Sequence, residues 1–165
     1  MTKQAAVLSA VLAVGWWSAT AAQGDQHLKQ LAEARARWTA SRTGSYEFTL
    51  NYQGLYSPSF PKAVSFSVVN GAVKPITDIP AEWRSFFELR NTIDKLFTQI
   101  EGTLKRARWQ SPMGPATSAI EYDKTLGYPV NVRIDPDRTI ADDEISFGVT
   151  GFKAVSQATG APGRQ

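Results

Sequence analysis

Cysteine is absent from this chain, and histidine occurs once, as His27. Without thiols there is no disulfide to staple the fold and no thiolate metal site, so the apolar core must hold the domain by itself. One histidine leaves a Ser/His/Asp triad or a histidine-rich zinc site almost without material. The chain also has no GxSxG elbow, no phosphate loop and no GxGxxG string. Charge of one sign is scarce: 18 basic and 15 acidic residues give a net +3 and are spread along the sequence, which argues against a nucleic-acid partner. The one partial basic cluster, Lys105, Arg106 and Arg108, falls at the end of an expected helix, where cations complement the helix dipole. No cofactor is indicated.

Long apolar runs are missing as well. The most apolar stretch, Ala5 to Trp17, covers 13 residues, short of the roughly 20 that span a bilayer. It follows Lys3 and precedes Ala19, Thr20 and Ala21, an AxA pattern, so residues 1–21 read as an export signal cleaved between Ala21 and Ala22. A lipoprotein needs a cysteine at that point, and there is none. The expectation is a secreted or periplasmic chain with no membrane anchor. Removing 21 of 165 residues leaves 144, enough for one domain with a sizeable core. The domain is placed at 22–153, and the tail 154–165, which has no apolar periodicity, is expected to be disordered.

What is present is periodicity. Leu28, Leu31, Arg35 and Trp38 share a face and predict a first helix from Asp25 to about Thr39. "SYEFTLNY" alternates, with Tyr46, Phe48, Leu50 and Tyr52 on one side and Glu47, Thr49 and Asn51 on the other. Val64, Phe66 and Val68 continue the pattern up to Asn70 and Gly71, a two-residue hairpin turn that pairs Val69 with Ala72 and Val68 with Val73. Pro75 then limits the third strand to a short or edge position. Pro80 opens a short helix containing Trp83, Phe86, Phe87 and Leu89. Ile93, Leu96, Phe97, Ile100 and Leu104 predict the clearest helix, capped by Asn91 or Thr92. Three more alternating strands follow, through Ile120 and Tyr122, Tyr128 to Ile134, and Ile145 to Val149. The fold class is therefore α+β, an antiparallel sheet with helices packed on one face, built from two αβββ-like halves. An edge strand near Pro75, or the strand from Ile145 to Val149, is a candidate to accept a partner strand.

The acidic stretch "DPDRTIADDE" is the main candidate for chemistry. Asp135, Asp137, Asp142 and Asp143 are weak candidate metal ligands for a loose extracellular calcium site. The EF-hand pattern fails at Thr139, Ile140 and Ser146, and the plainer reading is a solvated hairpin turn. Glu47 and Glu121 share the polar sheet face and are a second carboxylate pair for which approach has to be tested. In the preceding turn, face matching makes Thr125, Leu126 and Gly127 a three-residue loop pairing Tyr122 with Val130, with Gly127 left-handed and Asp123 accepting turn amides. Trp83, Phe86 and Phe87 are candidate partner-binding residues, unless they cover the core; Trp109 is open to both readings. No catalytic residue is assigned.

"TIDKLFTQIE" (92–101), "YDKTLGYPVNVRID" (122–135) and "DDEISF" (142–147) resemble a bacterial exported family catalogued only as domain of unknown function 6174. Trp38, "YEFTL" and the Asn70/Gly71 turn extend that resemblance over most of the mature chain. It implies an exported globular domain and supplies no activity to transfer. Relatives often carry a cysteine pair after the first strand; "NYQGLYSPSFP" has none. The αβββ pattern alone is also similar to small envelope domains of the PepSY and β-lactamase-inhibitor kind, which bind other proteins. The function expected is a non-catalytic module that binds a protein, peptide or cell-envelope component through the polar sheet face or the Trp83–Leu89 segment. The alternative is a calcium-dependent or carboxylate-based enzyme using the loop from Asp135 to Glu144.

Overall fold

The structure is a computed structural model that describes residues 18–155 except 42, 55–56, 76–77, 111–116, 138 and 141–142, and leaves out the side chains of 18–25, 108–110 and 117. Helix α1 (Ser18–Ala40) leads into β1 (Tyr46–Tyr52), β2 (Ala63–Val69) and the two-residue β3 (Ala72–Val73). A 3-10 turn (Ala81–Trp83), α2 (Arg84–Glu88) and α3 (Ile93–Gln110) follow. β4 (Thr117–Tyr122), β5 (Pro129–Asp135) and β6 (Ile145–Ala154) complete the chain. All six strands form one antiparallel sheet in the order β3-β2-β1-β6-β5-β4. This is the α+β architecture that the alternating patterns predict. Each half is a meander, and the first strand of one half adjoins the last strand of the other.

β6 is therefore central, paired with β1 on one side and β5 on the other, and has no free edge for a partner strand. The edges are β3 and β4. Alternation along Ile145–Val149 could not reveal this, because it reports a strand's faces and not its neighbours.

The covered face is apolar throughout. Tyr46, Phe48, Leu50 and Tyr52 of β1 join Val64, Phe66 and Val68 of β2, Val132 and Ile134 of β5, and Phe147 and Val149 of β6 in one buried cluster. α3 lays Ile93, Leu96, Phe97, Ile100 and Leu104 on it, each at most 3% exposed. Thr92 is the working cap: its Oγ1 accepts the Lys95 N–H at 3.2 Å, and its carbonyl accepts the Leu96 N–H at 3.1 Å. The Tyr46 hydroxyl accepts a further α3 amide, the Ile93 N–H at 3.2 Å.

α1 is already helical at Ser18, upstream of the expected Asp25, so the Ala21–Ala22 bond lies within the helix, while the rest of the expected export signal, 1–17, is outside the described residues. Alanine favours helix strongly enough to extend it upstream of the amphipathic stripe. Leu31, Ala34 and Trp38 are buried, and Arg35 bridges to Glu101 of α3 at 2.7 Å with its guanidinium 5.5 Å above the Phe97 ring.

Two turns show how backbone geometry sets the register. Asn70 (φ 51°) and Gly71 (φ 78°) make the expected hairpin, with Val69 opposite Ala72 and Val68 opposite Val73. The β4–β5 turn differs from expectation. Tyr122 pairs with Pro129 rather than Val130, because an extra β5 residue bulges between Asn131 and Pro129, and Asp123 N–H donates to the Tyr128 carbonyl at 2.8 Å. Asp123 Oδ1 accepts the amides of Thr125 (2.9 Å) and Leu126 (2.6 Å), as its position predicts. Gly127 has φ 86°, but backbone freedom is only half its role: a Cβ there would lie 2.2 Å from the Ala34 carbonyl oxygen of α1.

β6 extends past Val149. An extra residue near Gly151 (φ 60°) shifts its pairing with β1 and returns Phe152 to the covered face. There it stacks on Tyr128 at 4.4 Å and Tyr46 at 5.7 Å. Ala154 still pairs with Tyr46, and the Val155 N–H donates to the Ser45 carbonyl at 2.9 Å; the remaining tail, 156–165, is outside the described residues.

Candidate functional site

Among the described residues the helices lie on one side of the sheet and none covers the other face, whose composition follows from strand alternation combined with the observed register. Ser65 lies opposite Thr49, and Thr49 opposite Thr150; Ala63 lies opposite Asn51, Asn51 opposite Gly148, and Gly148 opposite Asn131. These seven residues from four adjacent strands are short and uncharged. Thr49 Oγ1 and Ser65 Oγ share a hydrogen bond at 2.9 Å, and Asn51 Nδ2 donates to Thr150 Oγ1 at 2.8 Å. Charged residues stand at the margins: Glu47 opposite Lys153, and Arg133 and Glu121 on β5 and β4. A solvated sheet face ordinarily carries long charged side chains over its middle. Here the middle is flat, with a charged rim, an arrangement depleted of charge where interface centres are depleted of it.

Glu47 and Glu121 do share this face, but β6 and β5 separate their strands. Three strand spacings amount to on the order of 14 Å, too far for one carboxyl to act on its partner. The pair is not a catalytic dyad.

The described carboxylates of the acidic loop gather charge without converging on one point. Asp135 ends β5. Asp137 Oδ1 accepts the Thr139 N–H at 2.9 Å and the Thr139 hydroxyl at 2.7 Å; the amide bond first and the hydroxyl second hold its carboxyl below the usual range. Burial pushes the Asp143 carboxyl up, and the charges of Asp135, Asp137 and Glu144 add to this while Arg106 opposes it. Asp142 lies outside the described residues. Among the described residues, no three His, Cys, Asp or Glu side chains are grouped closely enough to hold a metal ion. His27 sits on α1, where burial lowers its pKa and a Gln30 contact opposes the shift.

The three aromatic candidates separate. Phe87 is fully buried, stacked on Phe60 at 5.5 Å and packed near Tyr52 and Phe66, so it is core and not a contact surface. Phe86 is half-buried between Tyr52 and Phe60 and is covered by Arg90, whose guanidinium carbon lies 3.8 Å from its ring centre. Trp83 packs on Phe60 at 5.0 Å and donates its indole N–H to Ser59 Oγ at 3.3 Å. Leu89, 68% exposed, is the large apolar side chain that projects from this segment. The side chains of Arg108 and Trp109 lie outside the described residues, and Lys105 is paired with Glu101 at 2.5 Å.

An open groove of about 780 Å³ lies at one end of the sheet, lined by Trp38, Tyr46, Gly71, Val73, Asp94 and Lys95 among others. Its one cation is already engaged, since Lys95 Nζ donates to the Glu88 carbonyl at 2.6 Å and to Asn91 Oδ1 at 2.9 Å.

A sequence model of one family matches residues 30–154, from the middle of α1 to the last residue of β6. The chain belongs to the family of unknown function DUF6174. No curated protein and no solved structure matches this DUF6174 chain. Family membership thus agrees with the extent of the fold and adds no residue roles. The open-face residues were half legible in advance: alternation puts Thr49 and Asn51 on the polar side, whereas their adjacency to Gly148, Thr150 and Asn131 depends on the β1–β6 pairing, for which the sequence carries no local signal.

Proposed function

We propose that this chain is an exported, non-catalytic binding domain that holds a protein, peptide or cell-envelope component against the open face of its sheet. The observation that supports the reading is the flat uncharged centre formed by Ser65, Thr49, Asn51, Thr150, Gly148 and Asn131, framed by a charged rim. Short side chains let a partner approach the sheet closely, and hydroxyl and amide groups supply hydrogen bonds without the desolvation cost of burying charge. The Trp83–Leu89 segment is less suited, because Phe87 is core and Arg90 covers Phe86.

The test passes a cell-envelope fraction over immobilised protein beginning at Ala22. A component retained by the wild type should be lost by the Thr49→Lys/Thr150→Lys double variant and kept by Thr98→Lys on the exposed side of α3, with thermal midpoints unchanged. Equal retention by the double variant would sink the reading.

A further inference from the structure

Among the described residues, the sheet has a gap along one edge. β3 contributes two residues beside β2, which has seven, and the chain leaves the sheet at Lys74 and Pro75. The hydrogen-bonding phase of β2 can be read from two bonds. Lys62 O, an even position, accepts from Tyr52 N on the β1 side at 2.8 Å, and Ser67 O, an odd position, accepts from Lys74 N on the β3 side at 2.9 Å. Backbone groups alternate sides along a strand. Ser65 and Ala63 therefore direct both N–H and C=O outward, beyond the end of β3, where no described residue pairs with them. Both are exposed. A row of outward amide donors and acceptors at this spacing is complementary to one kind of structure, another extended backbone.

Charge selects among extended backbones. Lys74 stands at one end of the gap and Lys62 at the other, both exposed, and the segment 62–75 contains no acidic residue. A pocket of about 170 Å³ opens where β3 leaves the sheet, lined by Val73, Lys74, Pro75, Ile79, Arg84 and Glu88 among others, the last two offsetting one another. A second copy presenting the same edge would set lysine against lysine. We propose that the edge of β2 at Ala63–Ser65 captures a short extended peptide with a carboxylate at each end, which continues the column that β3 begins. The site uses the outward backbone groups of Ala63 and Ser65, whose side chains border the open face, so the Thr49→Lys/Thr150→Lys variant, which should lose envelope-component retention and keep peptide capture, tells the two readings apart.

The probe is a fluorescein-labelled hexapeptide of alternating valine and threonine with glutamate at both ends, titrated by anisotropy against protein beginning at Ala22. Expected results are saturable binding, at least tenfold weaker binding when the central amides are N-methylated or the end glutamates are replaced by lysine, and at least tenfold loss in Ser65→Pro. The Lys62→Glu/Lys74→Glu variant, which leaves the backbone untouched, should reverse the preference between acidic and basic peptides even if Ser65→Pro fails to fold. Indifference to N-methylation or to end charge, or no binding up to about 1 mM, would overturn the proposal. So would a dimer in sedimentation that Ser65→Pro dissociates, because the occupant would then be a second copy. Loss of peptide capture with envelope-component retention intact removes this edge site alone.

Discussion

The two faces of the sheet are made by the same strands with the same alternation, yet they differ in every physical respect. On the covered face Phe48, Leu50, Val132, Ile134 and Phe147 are at most 1% exposed and pack against α3 and one another. On the open face their immediate neighbours Thr49, Asn51, Arg133 and Ser146 are partly or largely exposed, and the contacts shown for them are hydrogen bonds such as Asn51 to Thr150. Stability should therefore reside on one side and recognition on the other, with little coupling between them.

The largest effect is expected on the covered face. Phe147→Ala removes a ring at the centre of the sheet and should cost about 3–5 kcal/mol in urea unfolding; a loss under about 1 kcal/mol would erase the distinction between the faces. Next is Gly127→Ala, which places a methyl group against the Ala34 carbonyl oxygen in a left-handed turn and should cost about 3 kcal/mol. Gly102→Ala is its counterpart: a Cβ at that exposed position of α3 meets nothing within 4 Å, so a gain of about 0.5–1 kcal/mol is expected. Opposite signs for one chemical change would show that packing, not glycine itself, sets the outcome.

Tyr46 adds a dependence on pH. Burial first, opposed by the hydrogen bond from the Ile93 amide and then aided by the charge of Asp94, pushes its hydroxyl up to about 12, against about 10 in an unfolded chain. Unfolding releases a proton between these values, so the contribution is complete below about pH 10 and is lost as pH rises towards about 12. Tyr46→Phe should lose about 1 kcal/mol at neutral pH through the Ile93 bond and show a shallower alkaline decline in thermal midpoint. Tyr122, also raised by burial, should preserve part of that decline. The smallest effect belongs to the open face: Thr150→Val should change stability by less than about 0.5 kcal/mol while weakening any partner that bonds to its hydroxyl.

The fold was legible wherever the signal was local. Alternation identified the six strands, the spacing of Ile93 to Leu104 identified α3, and Asn70-Gly71 specified a hairpin together with its register. Non-local features were not legible. Nothing near Ile145 indicates that its strand lies between β1 and β5, and nothing near Gly127 indicates that α1 passes directly over it. Phe152 reaches the core because a bulge at Gly151 shifts the strand by one residue, which a strict count of two cannot anticipate. The candidate site follows the same rule: each strand's polar side was readable, but the uncharged patch exists only once four strands are set side by side.

Because β1 and β6 are neighbours, the seam in the middle of the sheet joins parts of the chain far apart in sequence; the Asn51–Thr150 bond spans 99 residues. Closing so long a loop must precede the contacts that reward it, and pairing of this range slows folding. A chain emerging from its N-terminus can build the first meander early, but it cannot join the halves until residue 154 is free. Until then each half holds an unpaired strand, β1 on one side and β5 on the other, and is open to pairing with other chains. The order of the strands thus makes the last stretch of the domain to be synthesised the one that completes its folding.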